Sequence, residues 1–143
     1  MKGMLNRRHR VLRVRHVQHS MAMAETVRAQ DEANSIAHNA DRLRAVRADL
    51  FRSEGEATGA SFAAMQELAS RLEKAGRQLD GALYDARRKV EAKQDLSVAA
   101  SREREIASRL KERAHAQLEE WRENKLAALP RYRRMQARGG MPE

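Results

Sequence analysis

Residues seven apart along the second half of the chain form one series: Met65, Leu72, Leu79, Ala86, Lys93, Ala100, Ala107, Ala114, Trp121 and Ala128. All but Lys93 are apolar. A seven-residue repeat kept this long imposes a supercoiled helix whose whole face needs a partner helix. A chain built this way is a rod rather than a globule. Composition agrees, because 34% of residues are charged and only 3% aromatic, too few bulky side chains for a thick core. The abundant Ala, Arg, Glu, Leu, Gln and Lys are helix formers. No stretch alternates β-branched and polar residues as a strand would. The expected fold is therefore all-α, a single domain of two long helices in an antiparallel coiled-coil hairpin, the second helix longer.

The first helix is expected over about 5–52. Its clearest stripe is Ala29, Ala33, Ile36, Ala40, Leu43, Val46 and Leu50, in steps of three and four. Upstream, Leu5, Leu12, Val14, Val17, Met21 and Ala24 continue an apolar face in a shifted phase, which predicts a local irregularity near Val27. Two glycines, a Ser and a Thr then interrupt the chain over 53–60. Ser61 is positioned to N-cap a second helix over about 61–129, which Pro130 ends by disfavouring helical geometry at the preceding residue. Residues 130–143, with Gly139, Gly140 and Pro142, read as a flexible tail. Gly76 and Gly81 do not mark a rival turn, because the seam passes through Leu72, Leu79 and Ala86 without losing phase.

With a short break between striped helices, the hairpin is antiparallel. Setting Arg52 opposite Ser61 makes opposed residue numbers total about 113. Leu43 then faces Leu68–Leu72, Ile36 faces Ala75–Leu79, Val17 faces Leu96 and Leu5 faces about Ser108. The last ~20 residues of the second helix would be left without a partner, an overhang of about 30 Å at 1.5 Å per residue. It would contain Leu118, Trp121, Leu126 and Leu129, a docking surface unless a second copy or a bend in the first helix covers it. Leucines near the turn and alanines farther along predict a stable turn half and fraying open ends.

Charge is concentrated at the termini. Residues 1–24 carry Lys2, Arg7, Arg8, Arg10, Arg13 and Arg15 with no acid, and 124–142 carry Lys125, Arg131, Arg133, Arg134 and Arg138 with no acid. The chain as a whole is +9, so the middle is close to balanced. Such ends suit acidic protein partners. They also leave open phosphate contacts of a basic helical nucleic-acid-binding protein, an anionic lipid surface, or plain solubility on a generic coiled-coil scaffold. No P-loop, nucleophile elbow or dinucleotide fingerprint is present, and there is no Cys. Nothing points to catalysis, a cofactor or a metal; His16 and His19, three apart, lack a carboxylate before Glu25 to complete a ligand set. No apolar run is long enough to span a membrane, and the basic start has no apolar signal core, so a cytoplasmic protein is expected.

Three stretches carry a family resemblance: Arg10-Val11-Leu12-Arg13-Val14-Arg15, Leu72-Glu73-Lys74-Ala75, and Leu118-Glu119-Glu120-Trp121-Arg122-Glu123-Asn124-Lys125. With the length, the two-helix plan and the basic ends, the chain resembles the FliJ-type proteins of bacterial flagellar export, themselves similar to the YscO-type proteins of type III secretion. The resemblance implies a non-enzymatic stalk, monomeric when free, that enters the pore of a hexameric export ATPase. It further implies promotion of ring assembly and hydrolysis, contact with the membrane export gate, and handling of export chaperones at the inner face of the cytoplasmic membrane. By position, Arg7, Arg8, Arg10, Arg13, Trp121, Arg122 and Lys125 would meet the ATPase ring. Leu68, Leu72, Ala75 and Leu79 would form the gate-facing stripe, although the register above buries those same residues.

Overall fold

The structure, a computed structural model, describes residues 1–52 and 59–130, apart from the side chain of Phe51. It is all-α. Helix α1 runs over Lys2–Arg52 (51 residues) and helix α2 over Gly59–Ala127 (69 residues). The two form a hairpin in which the second helix is the longer, as the repeat and the composition imply. The break expected at 53–60 falls largely on 53–58, outside the described residues, as does the tail from 131 onward. Gly59 and Ala60, however, are already helical, so Ser61 stands within the first turn of α2 rather than at its N-cap. The far end stops where the sequence says. The amide of Ala128 bonds back to Asn124 at 3.0 Å and that of Leu129 to Leu126 at 3.2 Å. Pro130 then has no amide to continue the ladder. Neither Gly76 nor Gly81 interrupts α2.

Both helices contribute to each of two compact units: unit 1, Met1–Ser20 with Ala99–Glu143, and unit 2, Met21–Val98.

In unit 2 the register is fixed by contacts across the two helices. Lys93 Nζ lies 2.8 Å from Glu25, Lys89 Nζ 3.2 Å from Glu32, Arg44 Nη2 2.9 Å from Asp80 and Arg47 Nη2 3.7 Å from Glu73. The Thr26 hydroxyl lies 2.9 Å from the Ala22 carbonyl and 3.1 Å from the Lys93 carbonyl, one proton between two acceptors. Opposed numbers therefore total about 118 to 124, not 113. Ile36 packs with Ala29, Ala33, Ala86 and Val90 instead of Ala75–Leu79. Leu43 Cδ2 sits 3.4 Å from where a Cβ on Gly76 would stand, about one turn beyond the expected Leu68–Leu72. The expectation failed because it anchored the register on the shortest break. The ladder of ion pairs and the meshing alanines decide it instead.

The seam is lined by small side chains. Ala29, Ala33, Ala40, Ala69 and Ala86 are buried with Val90, while Leu72, Leu79 and Leu83 are only half-buried. Helix α1 has no irregularity near Val27. Its seam positions in this unit run Ala22, Thr26, Ala29, Ala33, Ile36, Ala40 and Leu43 in steps of three and four, the knobs-into-holes spacing, with Ala37 half-buried beside them and Leu50 one heptad past Leu43.

In unit 1 the same alternation is carried on α1 by Leu5, Arg8, Leu12, Arg15 and His19. The apparent phase shift arose because Val14 and Val17 are apolar yet 55% and 57% exposed, whereas arginines and a histidine occupy the seam. On α2 the seam residues are Ala100, Arg104, Ala107, Lys111, Ala114 and Leu118, of which Ala107, Ala114 and Leu118 are buried. Burial does not fall away toward the open end as the small residues had suggested. Arg15 pairs with Glu103 at 3.4 Å, again an opposed total of about 118. That register carries α1 well past Ser108, so Leu118 and Ala114 belong to the closed seam and not to an overhang. What remains uncovered begins after Leu118, about 13 Å of helix.

Candidate interaction surfaces

Three surfaces follow from this register. The first is the end of α2 in unit 1. Trp121, Arg122 and Lys125 are all exposed, with Trp121 at 43%. Lys125 Nζ stands 4.5 Å from the centroid of the Trp121 ring, a cation–π contact. Arg122 Nη1 is 2.8 Å from Glu119. Lys125 also lies in the last turn, where a positive charge complements the helix dipole. Leu126 and Ala128 are exposed and Leu129 is half-buried, so this stretch keeps apolar surface beside its charges.

The basic residues of α1 divide by position. Arg7, Arg10 and Arg13 are exposed, while Arg8 is half-buried in the seam. Arg13 lines an open groove of about 690 Å³ in unit 1 together with Leu12, His16, Ser101, Arg104 and Ser108. His16 faces this groove, whereas His19 lies half-buried on the seam, so the two histidines do not converge. No group of three or more metal-binding side chains comes together among the described residues.

The second surface is the start of α2 in unit 2. Residues Gly59 to Ala64 are all exposed, since the revised register sets them beyond the end of α1. Of the proposed gate stripe, Leu68 is 45% exposed and Leu72, Ala75 and Leu79 are half-buried. The conflict between a buried seam and a binding stripe is thereby reduced to the last three residues. Phe62, 55% exposed and one heptad before Ala69, adds an aromatic side chain that the seam reading passed over. Phe62 stands off the series that begins at Met65, and only the second seam position, through Ala69, points to it.

The third surface, one flank of unit 1, carries Val11, Val14 and Ile106 in the open. Sequence reading missed it because it placed Val14 in the core and gave Ile106 no role. Among the described residues no helix is long and apolar enough to cross a membrane. Electrostatically the clearest perturbation is in unit 2, where the hydrogen bond and charge of Lys93, with a smaller contribution from Arg28, hold the Glu25 carboxyl below its usual range. Comparison with protein-family models, with curated proteins and with solved structures gave no match.

Proposed function

We propose that the chain is a non-enzymatic adaptor that works as the central stalk of a flagellar or type III export ATPase. In this reading unit 1 enters the hexameric ring through Arg7, Arg8, Arg10, Arg13, Trp121, Arg122 and Lys125, promoting ring assembly and hydrolysis. Unit 2 meets the membrane export gate through Leu68, with Leu72, Ala75 and Leu79 behind it. Export chaperones are further partners, and the site of action is the cytoplasmic face of the membrane. The single observation that carries the reading is the end of α2, where an exposed Trp121 and Lys125 run beyond the closed seam in the unit that also holds the acid-free start of α1. A basic end with an aromatic anchor is suited to an acidic protein cavity, since charge steers the encounter and a desolvated Trp supplies affinity.

Mixing the purified protein with its cognate export ATPase tests this. Hydrolysis should rise, and the rise should be lost on Trp121→Ala combined with Arg7→Glu and Arg10→Glu. An unchanged rate with no co-elution sinks the proposal, and salt-sensitive retention of DNA or RNA at physiological ionic strength would replace it with the nucleic-acid reading.

A further inference from the structure

The groove in unit 1 owes its width to two serines. Beside the seam on one flank, α2 presents Ser101 and Ser108, a heptad apart and both half-buried. The same heptad position in unit 2 holds Asp80 and Arg87, and the grooves they line measure about 420, 320 and 190 Å³. With hydroxymethyl groups in place of longer side chains, the groove in unit 1 opens to about 690 Å³. That lies within the roughly 300–1,000 Å³ of small-molecule sites.

The lining combines apolar walls with unanswered positive charge. Leu12 is half-buried at the floor, and Val17, 57% exposed, stands at the margin. Arg104 reaches the groove from the seam, while Arg13 and His16 stand exposed on α1. Neither Arg13 nor Arg104 has a hydrogen bond or ion pair from its side chain among the described residues. The one carboxylate of the lining, Glu105, is held by Arg109 at 2.6 Å. The charge left over is positive.

We infer that this groove binds a compact amphiphilic anion, an aromatic or short aliphatic body carrying one carboxylate, sulfonate or phosphate. The body would lie against Leu12, Val17 and the apolar stems of the arginines. The anion would accept charge-assisted hydrogen bonds from Arg13 and Arg104, and further ones from the Ser101 and Ser108 hydroxyls. A guanidinium plane also stacks well on an aromatic ring. The dimensions select a small occupant. The lining spans 12–17 on α1 and 101–108 on α2, about 10 Å of helix. Toward the open end the flank continues with Asn6, His9, Glu112 and His115, all polar and exposed. A partner helix laid there would rest mostly on polar side chains, and a lipid surface would need an apolar stripe rather than a short recess. A second copy would set the same arginines against these, which costs rather than gains. The inference stands apart from the stalk reading and shares only Arg13 with it.

The probe is naphthalenesulfonate, titrated into the free full chain and followed by amide shifts in NMR. The amides around Leu12–Val17 and Ser101–Ser108 should shift saturably and more than the rest. Naphthylmethylammonium has the same body with the opposite charge, and inorganic sulfate has the charge without the body. Each should bind at least about tenfold more weakly. Ser101→Leu with Ser108→Leu fills the groove and should weaken binding by about tenfold or more. The melting temperature should not fall, because leucine is the better helix former. Arg104→Gln should weaken binding as well, whereas Val14→Ser with Ile106→Ser, on the opposite flank, should leave it unchanged. Equal binding of the ammonium, shifts centred on Trp121 or Val14, or indifference to the serine or the arginine variants overturns the inference. So does displacement of the sulfonate by an acidic helical peptide. Binding to phosphatidylglycerol vesicles, or a dimer in sedimentation, that the paired serine variant abolishes overturns it too.

Discussion

Unit 2 and unit 1 are built on one heptad plan and spend it differently. In unit 2 the buried seam positions are alanines and Val90, half-buried leucines and Ile36 pack beside them, the one seam lysine, Lys93, is paired with Glu25, and the remaining ladder partners sit on the flanks. In unit 1 the seam itself holds Arg8, Arg15, His19, Arg104 and Lys111, with Arg15–Glu103 the one ion pair between the helices among the described residues. Exposed ion pairs contribute only about 0–1 kcal/mol each, so their value in unit 2 is mainly register. A cation on a seam costs desolvation and repels its neighbours. Both units expose apolar side chains, so the difference lies in the seam: unit 2 holds one lysine there, paired with Glu25, and unit 1 holds several cationic side chains between its buried Ala107, Ala114 and Leu118. Small residues cannot explain the contrast, because both seams have them.

The largest effect should come from charging the closed seam. Ala33→Asp in unit 2 buries a carboxylate without a partner and should cost about 3 kcal/mol or more, read as a fall in melting temperature. Val14→Asp in unit 1, on an exposed side chain, should change stability by less than about 0.5 kcal/mol. Comparable losses at both sites would erase the distinction.

Helix glycines give the next test. Gly81→Ala meets nothing within 4 Å, and the new methyl of Gly76→Ala meets only Leu43 at 3.4 Å, ordinary contact. Each should stabilise by about 1 kcal/mol through helix propensity. Loss of stability at Gly76 would mean that the helices approach more closely there than the ladder implies.

Restoring an apolar seam in unit 1 sharpens the comparison from the other side. His19→Leu should stabilise by up to about 1 kcal/mol, because a half-buried polar ring becomes aliphatic. Calorimetric melting of the full chain would show it.

The smallest effect is acid dependence. Glu25 ionises below its usual value of 4.5 because Lys93 holds its charged form. A lowered folded pKa makes stability present above pH 4.5 and lost as pH falls below it through the depressed value. Glu25→Gln should flatten the acid side of a plot of melting temperature against pH. An unchanged slope would remove Glu25 from the ladder.

Much of this was legible in the residues. The seven-residue series gave two helices of unequal length, and Pro130 marked the end of the second. Steps of three and four from Ala29 to Leu43 marked the buried face of α1 in unit 2. The register was not legible, since it is set by which of many Lys, Arg, Asp and Glu meet, and alanine stripes fit several offsets equally well. Hydropathy points to Val14 and Val17 as the face of α1 in unit 1, but arginine and histidine with long or flat side chains line the seam there with their apolar parts. The uncovered part of α2 begins after Leu118 and not before it because the register that sets it follows the ion pairs and not the length of the break. Of the sites, the exposed Trp121 and Lys125 were readable. The exposed flank of Val11, Val14 and Ile106 was not, because hydropathy alone points Val14 into the seam.

The contrast between the units is tested most directly by residue-level amide hydrogen exchange on the free full chain. Slow exchange reports local opening, and units with polar seams open at lower free energy. The account predicts that amides around Leu12–His19 and Ser101–Ser108 exchange faster than those around Ala29–Ala40 and Ala86–Val90. Equal protection throughout, or slower exchange in unit 1, would contradict it.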